Sequence, residues 1–432
     1  MTVFALSTAQ GQSGVAIIRV SGPFAEKVIK KLTKKKLKPR MATLCKIYKD
    51  NKEIIDESVV IFFEKNKSFT GEPVAEFQTH GSIAIISAVL TEISKIKGLR
   101  PAEPGEFTKR AYLSGKINLV QVEGLADLIA AQTERQRQQA IMQYGEEASN
   151  KYLKWAEEIK TCLAFIETSI DFSDEDIPVD LLKRTRRIAK KVQKEINDHL
   201  KTEQQGEIIK EGIRIAIIGR ANSGKSSLIN YLSKKETSII SANPGTTRDV
   251  LRAERAYDGI FVTLIDTAGL RKAKNKIELE GLKRAKKESD LAHIRILLGS
   301  NNEKNPFFGL NIKPSENDIV VINKSDLKKK HNVKPNLTIS LKEKTKLNIL
   351  EAKIKEKVRK IASPHTGAIL TKERQKNHLI WTEKALRNIG GGDIEIISLN
   401  IRDALSHIGS ITKESNNEEI LGIIFSKFCI GK

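Results

Sequence analysis

Between the apolar run Ile213-Arg-Ile-Ala-Ile-Ile218 and the helix-like run Ser227-Leu-Ile-Asn-Tyr-Leu232 lies a glycine-rich turn, Gly219-Arg-Ala-Asn-Ser-Gly-Lys-Ser226. Strand, turn and helix in that order open a parallel α/β sheet. The turn has the spacing that cradles phosphates with backbone N–H groups at a helix N-terminus, so Asn222, Ser223, Gly224, Lys225, Ser226 and Ser227 are expected to contact nucleotide. Lys225 is placed to reach the β and γ phosphates and Ser226 to bind Mg²⁺. Three further signatures follow in order: Gly245-Thr-Thr-Arg248, Asp266-Thr-Ala-Gly269 and Asn323-Lys-Ser-Asp326. Thr246 and Thr247 belong to the first, with Thr247 completing the Mg²⁺ shell. Asp266, Thr267, Ala268 and Gly269 form the second, in which Asp266 contacts the metal through water and the Gly269 amide senses the γ-phosphate. The third chooses the base: the Asp326 carboxylate can accept two hydrogen bonds from the guanine edge and finds no such donors on adenine. The ladder therefore implies GTP and its hydrolysis.

One position departs from the common pattern. Residue 270 is Leu where many GTPases place a water-orienting Gln, so another carboxylate, and another cation in place of an arginine finger, are expected to serve. Asn222 either turns its side-chain oxygen toward a monovalent ion or is an ordinary loop residue.

The ladder occupies only the middle of a 432-residue chain, a length that calls for two to four domains. Residues 1–116 mix strand-like stretches at 14–20 and 58–63 with a helix-like run over 83–96, and read as a compact α/β domain. From about Ile117 the spacing of Leu119, Val122, Leu125, Ala126 and Ile129 is helical, and Gly and Pro almost vanish until Pro178. Strand and helix patterns alternate over 208–366, and 367–432 turns helical again. The reading is an inserted nucleotide-binding domain that splits a helical domain into halves at 117–207 and 367–432.

Composition narrows the classes. The net charge of +22 is compatible with a polyanionic partner or with solvated lysine-rich faces. Residues 1–116 carry 20 Lys and Arg against 11 Asp and Glu, and 208–366 carry 33 against 17, while 117–207 carry 13 against 17. RNA contact is thus expected on the first and third segments. Cys45, Cys162 and Cys429 are too few and scattered for a disulfide framework and are expected as free thiols. No apolar run reaches the roughly 18 residues of a membrane span, and the start lacks a basic leader, so a cytoplasmic protein is expected. The acidic stretch Asp171-Phe-Ser-Asp-Glu-Asp-Ile-Pro178 lacks the Gly and terminal Glu of a calcium loop and reads as a helix end and cap.

Further motifs are Gly14-Val-Ala-Ile-Ile-Arg-Val-Ser-Gly-Pro23, Phe69-Thr-Gly-Glu72 with Glu76 and His80-Gly81, and Ala102-Glu-Pro-Gly-Glu-Phe-Thr-Lys-Arg110. To these add Ile170-Asp-Phe with Asp176-Ile-Pro178, Pro244-Gly-Thr-Thr-Arg-Asp249, Asp266-Thr-Ala-Gly-Leu-Arg271 and the ending Cys429-Ile-Gly-Lys432. On these residues the chain resembles, from end to end, the tRNA modification GTPase family known as MnmE or TrmE. The resemblance implies a multidomain α/β plus all-α fold. Its parts are an N-terminal α/β folate-binding and dimerisation domain, a discontinuous helical domain, and an inserted Ras-like P-loop GTPase with a mostly parallel sheet. It also implies a homodimer acting as a heterotetramer with the FAD-dependent partner MnmG or GidA. Together these add an aminomethyl or carboxymethylaminomethyl group at carbon-5 of the wobble uridine of tRNA, with 5-formyl- or methylene-tetrahydrofolate as the one-carbon cofactor.

By the same resemblance, Asn222, Ser241, Asn243 and Thr246 match a K⁺ site, and Glu278 matches the glutamate that orients attacking water. Arg19, Glu76, Lys116 and Lys432 match the folate site, where cations suit glutamyl carboxylates and a carboxylate suits the pterin's donors. Cys429 matches a cysteine implicated in the modification chemistry, and a nearby Lys432 would stabilise its thiolate.

Two segments depart from the family. The strand expected over Leu291-Ala-His-Ile-Arg-Ile-Leu-Leu298 carries His293 and Arg295 and is followed by Gly299-Ser-Asn301, which predicts either a less stable domain or a shifted register. The fifth nucleotide motif reads Ser340-Leu-Lys342: Leu341 is expected to offer its amide to the guanine oxygen while its bulk loosens affinity. Two other classes compete with the MnmE reading. A ribosome-assembly GTPase predicts an appended KH-type Gly-x-x-Gly clamp, which 367–432 lacks, since Gly390-Gly-Gly392 reads as a helix–helix turn. A membrane-remodelling GTPase predicts an amphipathic insertion segment, and none is present.

Overall fold

Alternation of buried and outward side chains builds the first sheet. Its strands are β1 (Thr2–Leu6), β2 (Ser13–Ser21), β3 (Thr43–Tyr48), β4 (Ile54–Phe63), β5 (Val74–Gly81) and β6 (Leu99–Pro101), in the order β3-β4-β5-β2-β1-β6. Along β4, Asp56, Ser58, Val60 and Phe62 are buried while the residues between them turn outward, the period of two that a half-covered sheet requires. Two helices cover the inner face. Ala25–Thr33 presents Ala25, Val28, Ile29 and Leu32 at helical spacing, and Ile83–Ser94 starts on the Ser82 hydroxyl, which accepts the Ile85 amide at 3.2 Å. Their side chains join Ile18, Val20, Val60 and Phe77 in one core.

The computed structural model describes residues 1–171, 180–220, 222–234, 252–266, 291–308, 315–362, 370–390, 393–413, 418–426 and 428–431. Among them no helix is long and apolar enough to cross a membrane. The chain divides into two units, one of Met1–Ile129, Gln143–Lys190 and Lys384–Lys432, the other of Ala130–Met142 and Lys191–Glu383. In the first unit the helices Glu146–Asp171 and Ile394–Thr412 pack together. Tyr152, Trp155, Ile159, Cys162 and Ile166 are buried on one, and Ile397, Ile401, Ala404, Ile408 and Ile411 on the other, each row stepping by three and four residues. The acidic stretch after Asp171 lies outside the described residues.

The second unit holds the sheet that the glycine-rich turn predicts. Its strands are β7 (Ile213–Ile218), β8 (Arg252–Tyr257), β9 (Ile260–Asp266), β10 (Ile294–Ser300), β11 (Ile319–Asn323) and β12 (Leu337–Thr338), in the order β12-β11-β10-β7-β9-β8. All neighbours are parallel except β8 with β9. β7 is central, buried on both faces, and leads directly into the turn and the helix Lys225–Lys234. Because β10 and β9 flank β7 on opposite sides, the carboxyl end of β7 opens at a topological switch point, where doubly wound sheets bind ligands.

The atypical strand is re-bounded rather than shifted. β10 begins at Ile294, so His293 precedes it, and its register with β7 and β11 is continuous. His293 Nδ1 accepts the Arg214 amide at 3.0 Å, and burial lowers the pKa of this imidazole, which keeps it neutral as an acceptor requires. Arg295 donates from Nε and Nη2 to Asp318 Oδ1 and Oδ2 at 2.7 and 2.8 Å, so the guanidinium in the strand has a bidentate partner.

Candidate functional site

The carboxyl ends of β7, β9 and β11 bring the nucleotide motifs to one edge of the second unit. Within the turn, Lys225 Nζ donates to the carbonyls of Gly219 and Arg220 at 2.8 and 2.7 Å, so the ammonium spans the loop from inside. Asn222 stands at φ 60° and is exposed, while Ser226 and Ser227 are exposed at the start of the helix. The Ser223 hydroxyl is buried without a hydrogen-bond partner among the described residues. A loop of this form, with a lysine across it and an orphaned hydroxyl, fits a bound phosphate group.

Asn323 ties the motifs together. Its Nδ2 donates to the Ser223 carbonyl at 2.8 Å and its Oδ1 accepts the Leu341 amide at 3.1 Å. Gly224, at φ 101°, allows this approach: a Cβ there would stand 2.4 Å from Asn323 Nδ2. Leu341 therefore spends its amide on Asn323, which differs from its expected contact with guanine. The Ser340 hydroxyl donates to Asp326 Oδ1 at 2.7 Å and accepts the Glu343 amide at 3.1 Å. That bond from Ser340, more than any other influence, holds the Asp326 carboxyl below its usual range. Asp326 stays an ionised acceptor beside exposed space, with Lys324 and Lys342 adding positive charge. Asn301 braces the loop from behind, its amide donating to the Leu327 carbonyl at 2.7 Å and its oxygen meeting His331 Nε2 at 3.1 Å.

A second polar arrangement lies in the first unit. Arg19 on β2 and Glu76 on β5 are paired across the strands, with Nε and Nη2 both on Oε1 at 2.9 and 2.8 Å. Glu76 Oε2 receives no hydrogen bond from the described residues, and the Arg19 guanidinium lies 5.6 Å from the Phe107 ring centroid. The C-terminal segment approaches this sheet. Ile430 bridges Pro104, and Gly431, at φ 97°, comes so close that a Cβ would stand 2.0 Å from the Leu6 carbonyl. Leu6 pairs with Ile18 and Ala5 with Arg19, so the end of the chain meets the strand that neighbours β2. Cys429 is exposed, while Cys45 and Cys162 are buried, and all three are free thiols. Lys116 is held elsewhere, its ammonium donating to the Asn66 carbonyl at 2.6 Å.

Residues 119–429 match the family description "MnmE helical domain", and residues 2–116 match "GTP-binding protein TrmE N-terminus". The chain is 43% identical to the tRNA modification GTPase MnmE of Pelagibacter ubique (strain HTCC1062), covering 100% of both chains. The chain belongs to the MnmE family. It is also 40% identical to the MnmE of Wolbachia sp. subsp. Drosophila simulans (strain wRi), over 100% of this chain and 99% of that one. The mitochondrial 5-taurinomethyluridine tRNA synthase subunit GTPB3 of Danio rerio is 36% identical, over 100% of this chain and 93% of its own length.

As an MnmE-family GTPase the chain places Lys225, Asn323, Asp326, Ser340 and Leu341 in one connected site. Ser241, Asn243, Thr246, Thr247, Thr267, Ala268, Gly269, Glu278 and Lys432 lie outside the described residues, as does the side chain of Asp266 at the end of β9. Sequence reasoning missed two clusters among the MnmE-like motifs. Arg110 binds Glu72 at 2.8 Å and Glu106 at 2.8 Å, and Glu106 also binds Arg100 at 2.7 Å, which ties the 69–72 and 102–110 motifs into one ionic chain. Burial pushes the Glu106 carboxyl up, but the hydrogen bonds from Arg100, the Glu103 amide and Arg110 bring it down to about 2. His80 Nδ1 meets the buried Asp56 at 2.7 Å while its ring stays exposed. The i,i+4 spacing of Glu106 and Arg110 was the only sequence signal for the ionic chain.

Proposed function

We propose that this chain is the GTP-hydrolysing subunit of a tRNA wobble-uridine modification complex, acting with a FAD-dependent MnmG/GidA partner to add a carboxymethylaminomethyl or aminomethyl group at carbon-5 of uridine. The carrying observation is that the connected Asn323, Asp326 and Ser223 site, the cross-strand Arg19–Glu76 pair and an exposed Cys429 occur in one chain that matches MnmE from end to end. The domain division is 1–116 for folate binding and dimerisation, 117–207 and 367–432 for the helical domain, and 208–366 for the GTPase.

In this reading Lys225 and the turn amides hold the phosphates of GTP, Ser226 and Thr247 hold Mg²⁺, and Asp326 accepts the guanine edge. Asn222, with Ser241, Asn243 and Thr246, holds K⁺, which supplies positive charge where another GTPase uses an arginine finger. Glu278 orients the attacking water in place of the Gln that Leu270 replaces. Glu76 Oε2, which receives no hydrogen bond from the described residues, suits the donor edge of a pterin, and Arg19 and Lys432 suit carboxylates, so the pair fits a tetrahydrofolate, which would supply the one-carbon unit. Cys429 is exposed two residues before Gly431, which meets the Leu6 carbonyl. The protein works as a cytoplasmic homodimer.

Potassium and Glu278 provide the test. Purified protein should hydrolyse GTP faster in KCl than in NaCl of equal strength, and Glu278→Ala should bind GTP normally with turnover reduced at least about 100-fold, as for loss of a water-positioning group. Equal rates in both salts with full turnover by the variant would remove the ion and the glutamate from the mechanism.

A further inference from the structure

We propose that the amino-terminal half of the helix Asp180–Leu200, together with Phe165, forms a binding surface for the tRNA sugar-phosphate backbone, with Phe165 offering its ring to an unpaired base. This rests on the tRNA reading above and names a surface that reading does not supply. Five cations crowd eight residues of this helix: Lys183, Arg184, Arg186, Arg187 and Lys190, all exposed. Lys183, Arg187 and Lys190 are spaced by four and three residues, so they share one face over about 10 Å of helix at about 1.5 Å per residue. Lys183, Arg186, Arg187 and Lys190 form no ion pair with the described residues.

Beside this row lies a cavity of about 390 Å³ lined by Phe165, Lys183, Arg184, Arg187 and Ile188. On the neighbouring helix, Glu167 is paired with Arg402 at 2.5 Å. Clustered cations of one sign on an exposed face repel one another unless a polyanion relieves them. An aromatic and aliphatic floor with a cationic rim is the chemistry of single-stranded nucleic acid, in which phosphates meet Lys and Arg while a base stacks on an aromatic ring. Duplex or loop phosphates alone would use the row, but only an unpaired nucleotide uses Phe165 as well. The acidic balance of 117–207 conceals this face because it is summed over the segment, and five of its 17 acids, Asp171, Asp174, Glu175, Asp176 and Asp180, fall ahead of the row in sequence.

The test measures binding of labelled intact tRNA to the full-length protein across a salt series. Lys183→Ala with Arg187→Ala should weaken binding about 10-fold and flatten the slope of log affinity against log salt by about 1.5 to 2, since each lost phosphate contact removes about 0.7 to 0.9. GTP turnover should be unchanged. Phe165→Leu should weaken tRNA severalfold while leaving a blunt RNA duplex unaffected, and Arg187→Lys, which keeps the charge, should retain most of the affinity and so exclude a folding defect. Unchanged tRNA affinity and slope in the double variant, or loss of affinity for the FAD-dependent partner with tRNA binding intact, would overturn the surface while leaving the tRNA reading standing. A wild-type protein that binds no tRNA at low salt would overturn it as well; the reading itself fails only if tRNA modification is independent of this chain.

Discussion

Single side chains decide whether the two sites hold their form. Glu106 is nearly buried and accepts from Arg100 and Arg110, and its carboxyl is held at about 2 against 4.5 for a free glutamate. A pKa depressed on folding contributes stability that is complete above about 4.5 and is lost as pH falls toward 2. Glu106→Gln should therefore cost about 2 kcal/mol near neutrality, a figure reduced because Arg100 remains partly exposed. Denaturant unfolding from pH 7 down to 2.5 should show the gap between wild type and variant closing through that window; a gap constant with pH would show that Glu106 acts by shape alone. Cys429 carries a different expectation. Cys162 is buried, and burial followed by Glu158 pushes its thiol up to about 12, so it stays protonated and inert, whereas Cys429 is exposed at the clamped end of the chain. Cys429→Ser should keep GTP hydrolysis and abolish uridine modification in a reconstituted assay with the partner and tRNA, and loss of both activities would make it a structural residue.

At the level of elements, β10 shows how a strand tolerates a charge that its sequence makes look misplaced. Arg295 is answered by Asp318, which precedes β11, and the two close a bidentate pair at the edge of a core made by Ile294, Ile296 and Leu298. Removing Arg295 leaves the Asp318 carboxylate with the Ser315 amide but without its opposite charge. Arg295→Met should lower stability by about 3 kcal/mol, while Arg295→Met with Asp318→Leu should recover most of the loss. Equal losses for the single and double variants, measured by urea unfolding, would mean that the pair is not coupled. The strand and helix that flank the glycine-rich turn were legible in the sequence because local motifs and apolar runs dictate them. Arg295 was not, because its partner lies 23 residues away and pairing at that range leaves no periodic signature. The same holds for Glu72 and Arg110, 38 residues apart, and for Leu341, whose amide goes to Asn323 in a contact that only the folded loop brings about. The cationic row of the helix Asp180–Leu200 was hidden for another reason: a charge balance summed over a segment says nothing of which face carries it.

At the scale of the whole molecule, two units carry separable chemistry. One gathers the glycine-rich turn, Asn323, Asp326 and the bracing Asn301 at the carboxyl ends of a mostly parallel sheet, where a switch point lies. The other holds the end of the chain near Leu6 of a mixed sheet that carries a cross-strand Arg–Glu pair. A GTPase that served only as a timer would have no use for the second arrangement, and a modifying enzyme that needed no nucleotide would have no use for the first. The account therefore requires that removing this chain abolish a tRNA modification, not merely a GTPase activity. The direct measurement is mass spectrometry of nucleosides from total tRNA with and without its gene. Carboxymethylaminomethyl- and aminomethyluridine should disappear on deletion, return with the wild-type chain and fail to return with Cys429→Ser; unchanged levels of both nucleosides after deletion would contradict the account.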